Sequence, residues 1–271
     1  MLKSSFYKSP RFSIKQNHYF KIYEDIFEKY KNKSIVLVEI GVYQGGSLFM
    51  WRDYFGSAAR IIGIEANPFA IELNEHGFEI YIGDQSDPEF WKKFFAEVGN
   101  IDILIDDGGH WNEQQIKTLC YCLPYINNGG TLVVEDTQTS FYNWMGNPSK
   151  YSFIEYIKYL VDVLHSRNSE MKDYKINDHK NYIYEIKIFN SIVAFIIDRK
   201  ECYYTEPITN NSESMDYIAF GTDTTKYGQF LVNIKKIFLF KYFKLILNPF
   251  ISNINILLLK FNNYKLKKFF K

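Results

Sequence analysis

Short apolar runs rich in β-branched residues recur through the first half of the chain. They fall at residues 35–40 (IVLVEI), 61–65, 79–82, 101–105 and 131–134. Such continuous runs read as buried strands of a parallel sheet. Between them lie stretches with helical spacing. Residues 19–30 place Tyr19, Ile22, Tyr23, Ile26, Phe27 and Tyr30 on one face, with charges between them. Residues 46–55 follow the first run, and Pro68 starts the next helix. Residues 88–98 carry Phe90, Trp91, Phe94 and Phe95, and residues 113–123 and 153–164 complete the set. Two further strands, 182–189 and 192–197, are joined by Asn190-Ser191 and read as a hairpin. Strand and helix alternate five times before that hairpin. The expected fold is therefore α/β, a Rossmann-like doubly wound sheet of seven strands with an antiparallel C-terminal hairpin. Expected boundaries are an N-terminal arm and helix over 1–33 acting as a lid, a sheet domain over 34–200, and an extension over 201–271.

Composition changes this picture in two places. The net charge of +1 over 271 residues argues against a general nucleic-acid binder. The charge is unevenly distributed, however. Residues 224–271 hold ten lysines and no acid, and removing those charges leaves −9 on the rest. Lysines at 235, 236, 241 and 244 interrupt the apolar stretch 232–250, so it is not read as a membrane span. The tail is expected to form amphipathic helices broken at Asn248-Pro249, packed on their own domain or on a second subunit of a homo-oligomer. The alternative is peripheral attachment to anionic lipid at the inner face of a membrane. Cys120, Cys122 and Cys202 have no zinc spacing, and the N-terminus lacks the apolar core of a signal peptide. Both features point to a cytoplasmic location.

Two of the apolar runs end abruptly in acid: IDILIDDGGH over 101–110 and TLVVEDT over 131–137. Ligands of open α/β sheets bind just past the carboxyl ends of strands. Asp106, Asp107, His110, Glu135 and Asp136 therefore fall where chemistry is expected. Crowded carboxylates repel one another unless a cation or protons neutralise them, which points to a divalent metal beside a histidine. Taken separately, Glu135-Asp136 also suits helix N-capping, and a lone histidine suits a surface or cap position.

The first run leads into Glu39-Ile-Gly41-Val-Tyr-Gln-Gly45-Gly46-Ser47 and then a helix. Glycines at such a turn let a ligand approach the backbone, although a plain strand–helix connection looks similar. Glu65 ends the second run 24 residues after Gly41, where an acid commonly holds ribose hydroxyls. A dinucleotide site would share this acid, but the glycine spacing is not G-x-G-x-x-G. Glu39 would repel a pyrophosphate and favour the cationic end of S-adenosylmethionine. After the third run, Asp84 and Gln85 offer a carboxylate and an amide to an adenine edge.

These segments together resemble the metal-dependent sugar O-methyltransferases of the mycinamicin and macrocin type. The resemblance is carried by Glu39 to Gly41 with Ser47 to Trp51, Gly83 to Pro88, Asp106-Asp107-Gly-Gly-His110, and Glu135-Asp136 through Ser140. It runs from about residue 15 to residue 198 and excludes the basic tail. It implies S-adenosylmethionine and Mg²⁺ (or Mn²⁺) as cofactors, with Asp107, Glu135 and Asp136 as metal ligands and His110 as base. Glu39, Gly41, Gly45, Ser47, Glu65, Asp84, Gln85 and Asp106 become the expected cofactor contacts.

The implied chemistry is coherent. Carboxylate oxygens suit Mg²⁺, which stabilises a developing alkoxide while a histidine takes the proton. The expected substrate is a hydroxyl of a sugar or nucleotide-activated sugar in glycan or surface-polysaccharide synthesis. Two alternatives stay open: another small polar acceptor, an amine or a phosphorylated group, and a non-catalytic protein that retains the fold. Trp111 is expected either to line the acceptor pocket or to pack in the core. His18, His76, His165 and His179 are expected at the surface or in the lid.

Overall fold

The computed structural model describes residues 1–145, 149–168 and 178–210, and the basic tail lies outside the described residues. Residues 1–207 form one compact unit, and residues 208–271 belong to a second.

The strands of the first unit are β1 (Val36–Ile40), β2 (Arg60–Glu65), β3 (Glu79–Ile82), β4 (Ile101–Asp106), β5 (Ile126–Val134), β6 (Ile183–Ile188) and β7 (Val193–Ile197). They form a sheet of order β3-β2-β1-β4-β5-β7-β6. The first five run parallel, whereas β7 pairs antiparallel with both β5 and β6. Ser191, in the turn between β6 and β7, takes a φ of 63°. The expected doubly wound sheet with its C-terminal hairpin is thus the observed one.

The helices are α1 (Leu2–Lys8), α2 (Tyr19–Phe27), α3 (Gly46–Phe55), α4 (Pro88–Val98), α5 (Asn112–Cys122) and α6 (Phe153–His165). The strand pleat divides the core between two faces. Leu37, Ile103, Ile105 and Val133 face a layer that holds Leu2, Tyr23, Phe27, Trp51 and Phe55. Val38, Leu104, Leu132 and Val134 face Trp91, Phe94, Leu119, Phe153 and Leu160 on the other side.

The N-terminal arm begins with α1, whose Leu2 is fully buried. Two expectations need correction. The segment after Pro68 is a 3₁₀ helix, Pro68–His76, opened by an Asn67 side chain that accepts from Phe69 N. His179 is buried rather than superficial. Among the described residues, no helix is long and apolar enough to cross a membrane.

The sheet order reverses between β1 and β4, so their carboxyl ends diverge into a crevice. Gly41 closes this point. Its φ is 83°, and an added Cβ would lie 2.1 Å from the carbonyl oxygen of Asp107. Glycine is the residue that meets both the left-handed backbone and the close approach of the β4 turn.

Candidate active site

A cleft of about 320 Å³ opens at this crevice. Its walls include Gly41, Glu65, Asp84, Gln85, Asp107 and Gly109. Glu65 stands at the end of β2, where its carboxylate accepts from Tyr43 N at 3.0 Å, Ala66 N at 2.9 Å and Asn67 N at 3.1 Å. Asp84 accepts from both the backbone N–H and the hydroxyl of Ser86, which hold its carboxyl below the usual range.

Four of the expected cofactor contacts, Asp106, Gly45, Ser47 and Glu39, do not line this cleft. Asp106 is buried and does not line the cleft. Gln85 Nε2 donates to both its oxygens, at 2.9 and 3.1 Å, and burial pushes its carboxyl upward. Gln85 does reach the cleft wall, but its amide also donates to Thr118 and accepts from Gly109 N. It therefore fixes the β4 turn. Gly45 caps α3 with φ 86°, and its open side faces Leu73. Ser47 donates at 2.6 Å to Glu39, which is itself buried at the end of β1.

The acids form two groups that share Asp107. In the outer group, one ligand atom each of Asp107, His110 and Asp136 lie within 4.8 Å of one another. His110 Nε2 is 3.9 Å from Asp107 Oδ1 and 3.6 Å from Asp136 Oδ2. Both His110 and Asp136 take positive φ, 59° and 54°. Such backbone is costly for these residues and clusters where function needs a fixed direction. Asp136 Oδ1 accepts from Tyr19 OH at 2.5 Å and from Gln138 Nε2 at 3.1 Å, leaving Oδ2 toward the histidine.

The inner group is Glu39, Asp107 and Glu135, and Lys15 is seated in it. Lys15 Nζ is 2.6 Å from Asp107 Oδ2, 2.6 Å from Glu135 Oε1 and 3.5 Å from Glu39 Oε1. Burial disfavours its charge, but the three carboxylates overcome that and hold its pKa well above the ordinary value. Glu135 also accepts from Tyr23 OH. Burial, reinforced by the Asp107 charge and opposed by Lys15, pushes the Glu135 carboxyl up. The Glu135 side chain thus serves the inner group, and Asp136 the outer one.

Lys15, Tyr19 and Tyr23 were not read as site residues from sequence. Tyr19 and Tyr23 lie one turn apart on α2, Lys15 lies in the arm before it, and each meets an acid. Trp111, the residue after His110, is exposed rather than packed in the core. It lines a second cavity of about 650 Å³ with Met145 and Tyr151, and meets Trp144 edge-on at 6.4 Å.

Residues 38–137 match the family model described as a methyltransferase domain. The matched segment runs from within β1 past the end of β5 and holds the acids of both groups. Among relatives of the chain, the 8-demethyl-8-α-L-rhamnosyl tetracenomycin-C 2'-O-methyltransferase of Streptomyces olivaceus is 33% identical over 159 residues, covering 54% of this chain and 41% of the relative. The demethylmacrocin O-methyltransferase of Streptomyces fradiae is 33% identical over 134 residues, 47% of this chain and 33% of the relative. The mycinamicin VI 2''-O-methyltransferase of Micromonospora griseorubida is 32% identical over 151 residues, 53% and 37% of the two chains. The chain thus has relatives of the kind its motifs resemble, and it spans less than half the length of each. Among solved structures, the methyltransferase MycE of the mycinamycin pathway, in complex with Mg and SAH, superposes with a TM-score of 0.65. It shares 24% identity and covers 74% of this chain and 54% of its own. That likeness concerns the fold.

Proposed function

We propose that this protein is an S-adenosylmethionine- and divalent-metal-dependent O-methyltransferase acting on a sugar hydroxyl. The observation that carries it is the convergence of Asp107 Oδ1, His110 Nε2 and Asp136 Oδ2 beside a cleft walled by Gly41 and Glu65. The hard carboxylate oxygens of Asp107 and Asp136 fit a dication such as Mg²⁺ or Mn²⁺ that keeps positions open for an acceptor, with His110 Nε2 beside them as the base. The cleft at the switch point, with an acid at the end of β2, fits a ribose-bearing cofactor. Two relatives are named for 2'-O-methylation of a rhamnosyl tetracenomycin and 2''-O-methylation of mycinamicin VI, which supports a glycoside as acceptor. They give no support to the surface-polysaccharide setting.

When bound, S-adenosylmethionine supplies an electrophilic methyl group, and a dication stabilises negative charge developing on the acceptor oxygen. The chain's own residues do the rest. Glu65 holds the ribose hydroxyls. His110 Nε2 takes the acceptor proton, as the positively oriented backbone at 110 aims the ring at Asp107 and Asp136. Tyr19 and Gln138 hold Asp136 in place. Trp111 and Tyr151 line the neighbouring cavity, an apolar wall suited to the carbon face of an acceptor.

The test is a methyl-transfer screen with labelled S-adenosylmethionine over glycosides, nucleotide-sugars, free glycans, amines and phosphorylated metabolites. Transfer to a glycoside hydroxyl is expected. Transfer confined to amines or phosphorylated groups, or none to any acceptor with S-adenosylmethionine bound, contradicts the proposal.

A further inference from the structure

Each of the three carboxylates expected to hold the metal has one oxygen held by the segment that precedes β1. Tyr19 OH donates to Asp136 Oδ1 at 2.5 Å, and Tyr23 OH donates to Glu135 Oε1. Lys15 Nζ is 2.6 Å from Asp107 Oδ2 and 2.6 Å from the same Glu135 oxygen. All three donors lie outside residues 38–137, which supply the acids.

The two tyrosines are anchored from behind. Both are 1% exposed and belong to the core layer that covers one face of the sheet. The Tyr23 ring stacks on Phe27 at 5.4 Å and meets Trp51 edge-on at 5.2 Å. A rigid ring fixed in this way also fixes its hydroxyl, and a phenol keeps its proton near neutral pH and so donates. A carboxylate held by one oxygen presents the other in a set direction. Asp107 Oδ1 and Asp136 Oδ2, the oxygens these donors leave, are the ones that flank His110 Nε2. Both bonds to Glu135 fall on Oε1.

We propose that Tyr19 and Tyr23 are positioning residues of the metal site: their hydroxyls set the direction in which Asp136 and Glu135 face a dication, while Lys15 braces Asp107. The proposal rests on the metal-dependent reading above, with Asp107, Glu135 and Asp136 as ligands and His110 as the base. Donors to ligating carboxylates orient them, and their loss typically weakens metal binding about 10- to 100-fold.

The experiment is a Mn²⁺ titration of the full chain, followed by the electron paramagnetic resonance signal of the free ion. S-adenosylmethionine affinity is measured alongside by calorimetry in chelator. Tyr19→Phe and Tyr23→Phe keep the packed rings and remove only the hydroxyls. Tyr30→Phe is the control, because its hydroxyl meets Gly129 O and Thr131 Oγ1 earlier in β5. Lys15 is left intact, since losing its charge would attract a dication while losing its bonds would misplace the ligands. Tyr19→Phe and Tyr23→Phe are each expected to bind Mn²⁺ about 10- to 100-fold more weakly than wild type, with S-adenosylmethionine affinity near the wild-type value. Tyr30→Phe is expected to match wild type in both. If wild type binds Mn²⁺ and either site variant binds it equally well, that tyrosine only packs and the shared role is overturned. A matching loss in Tyr30→Phe, or an equal loss of S-adenosylmethionine, means general damage to the fold and overturns it too. If wild type binds no Mn²⁺, the metal reading itself fails and this proposal falls with it.

Discussion

Lys15 Nζ lies 2.6 Å from Glu135 Oε1, the same oxygen to which Tyr23 OH donates. The acid at the end of β5 is thus sealed by two residues of the N-terminal segment. With Glu39 and Asp107 beside it, three carboxylates share one ammonium in a buried space. Burial is the first cause that raises both Glu39 and Glu135, so the folded protein holds protons there that an unfolded chain releases.

This sets a pH dependence for metal-free protein. The Glu135 carboxyl is pushed from an ordinary 4.5 to about 8. A group whose folded pKa is raised contributes stability that is full below the unfolded value and lost as pH rises through the folded one. Melting temperature in chelator should therefore fall between pH 4.5 and about 8. Lys15, held well above its ordinary value, keeps its charge through that window. Glu135→Gln should flatten the profile. A wild-type profile that rises across this range, or one that Glu135→Gln leaves unchanged, contradicts the account.

Gly41→Ala should damage the crevice itself. A Cβ there meets the Asp107 carbonyl at 2.1 Å on a backbone of φ 83°. Denaturant unfolding should show a loss of roughly 1–3 kcal/mol or more, and S-adenosylmethionine binding should weaken. Gly77→Ala is the control, with φ 78° but nothing within 4 Å of the new atom. Equal losses in the two variants would mean that the close approach at Gly41 carries no weight.

Glu65→Gln should weaken S-adenosylmethionine by about 1.5–3 kcal/mol, the range for hydrogen bonds to a charged group. Calorimetry gives the affinity directly. Its three backbone donors lie in an exposed turn that water can reach, so melting should change little. Unchanged affinity would remove Glu65 from the cofactor site.

His110→Ala should lower kcat about 10²- to 10⁴-fold while leaving S-adenosylmethionine affinity near wild type. The ring reaches the two outer carboxylates rather than the Glu65 side of the cleft. A loss confined to cofactor binding would overturn its role as base.

The sheet was legible because its strands are continuous apolar runs, and the hairpin because Asn190-Ser191 separates two of them. The acids at the ends of β4 and β5 were legible for the same reason: a buried run that stops in carboxylates leaves few other places for them. Direction was not legible. Asp106 and Asp107 are adjacent, so strand pleating sends one toward Gln85 and the other toward the cleft. Glu135 and Asp136 diverge likewise, which sequence alone does not reveal. Helix α1 was missed because LKSSFYK buries only Leu2 and Ser5, too little for an apolar period. Tyr19 and Tyr23 matched a core stripe, and their rings do pack there, yet their hydroxyls reach Asp136 and Glu135. Lys15 lies in the irregular arm before α2, so no helical period could mark it.

The measurement closest to the central claim is methyl transfer from S-adenosylmethionine to a glycoside in chelated protein, before and after Mg²⁺ is restored. Turnover should vanish on chelation and return with Mg²⁺, because the Asp107 and Asp136 carboxylates converge beside His110 where a dication fits. Full turnover in rigorously chelated protein would contradict the metal-dependent account.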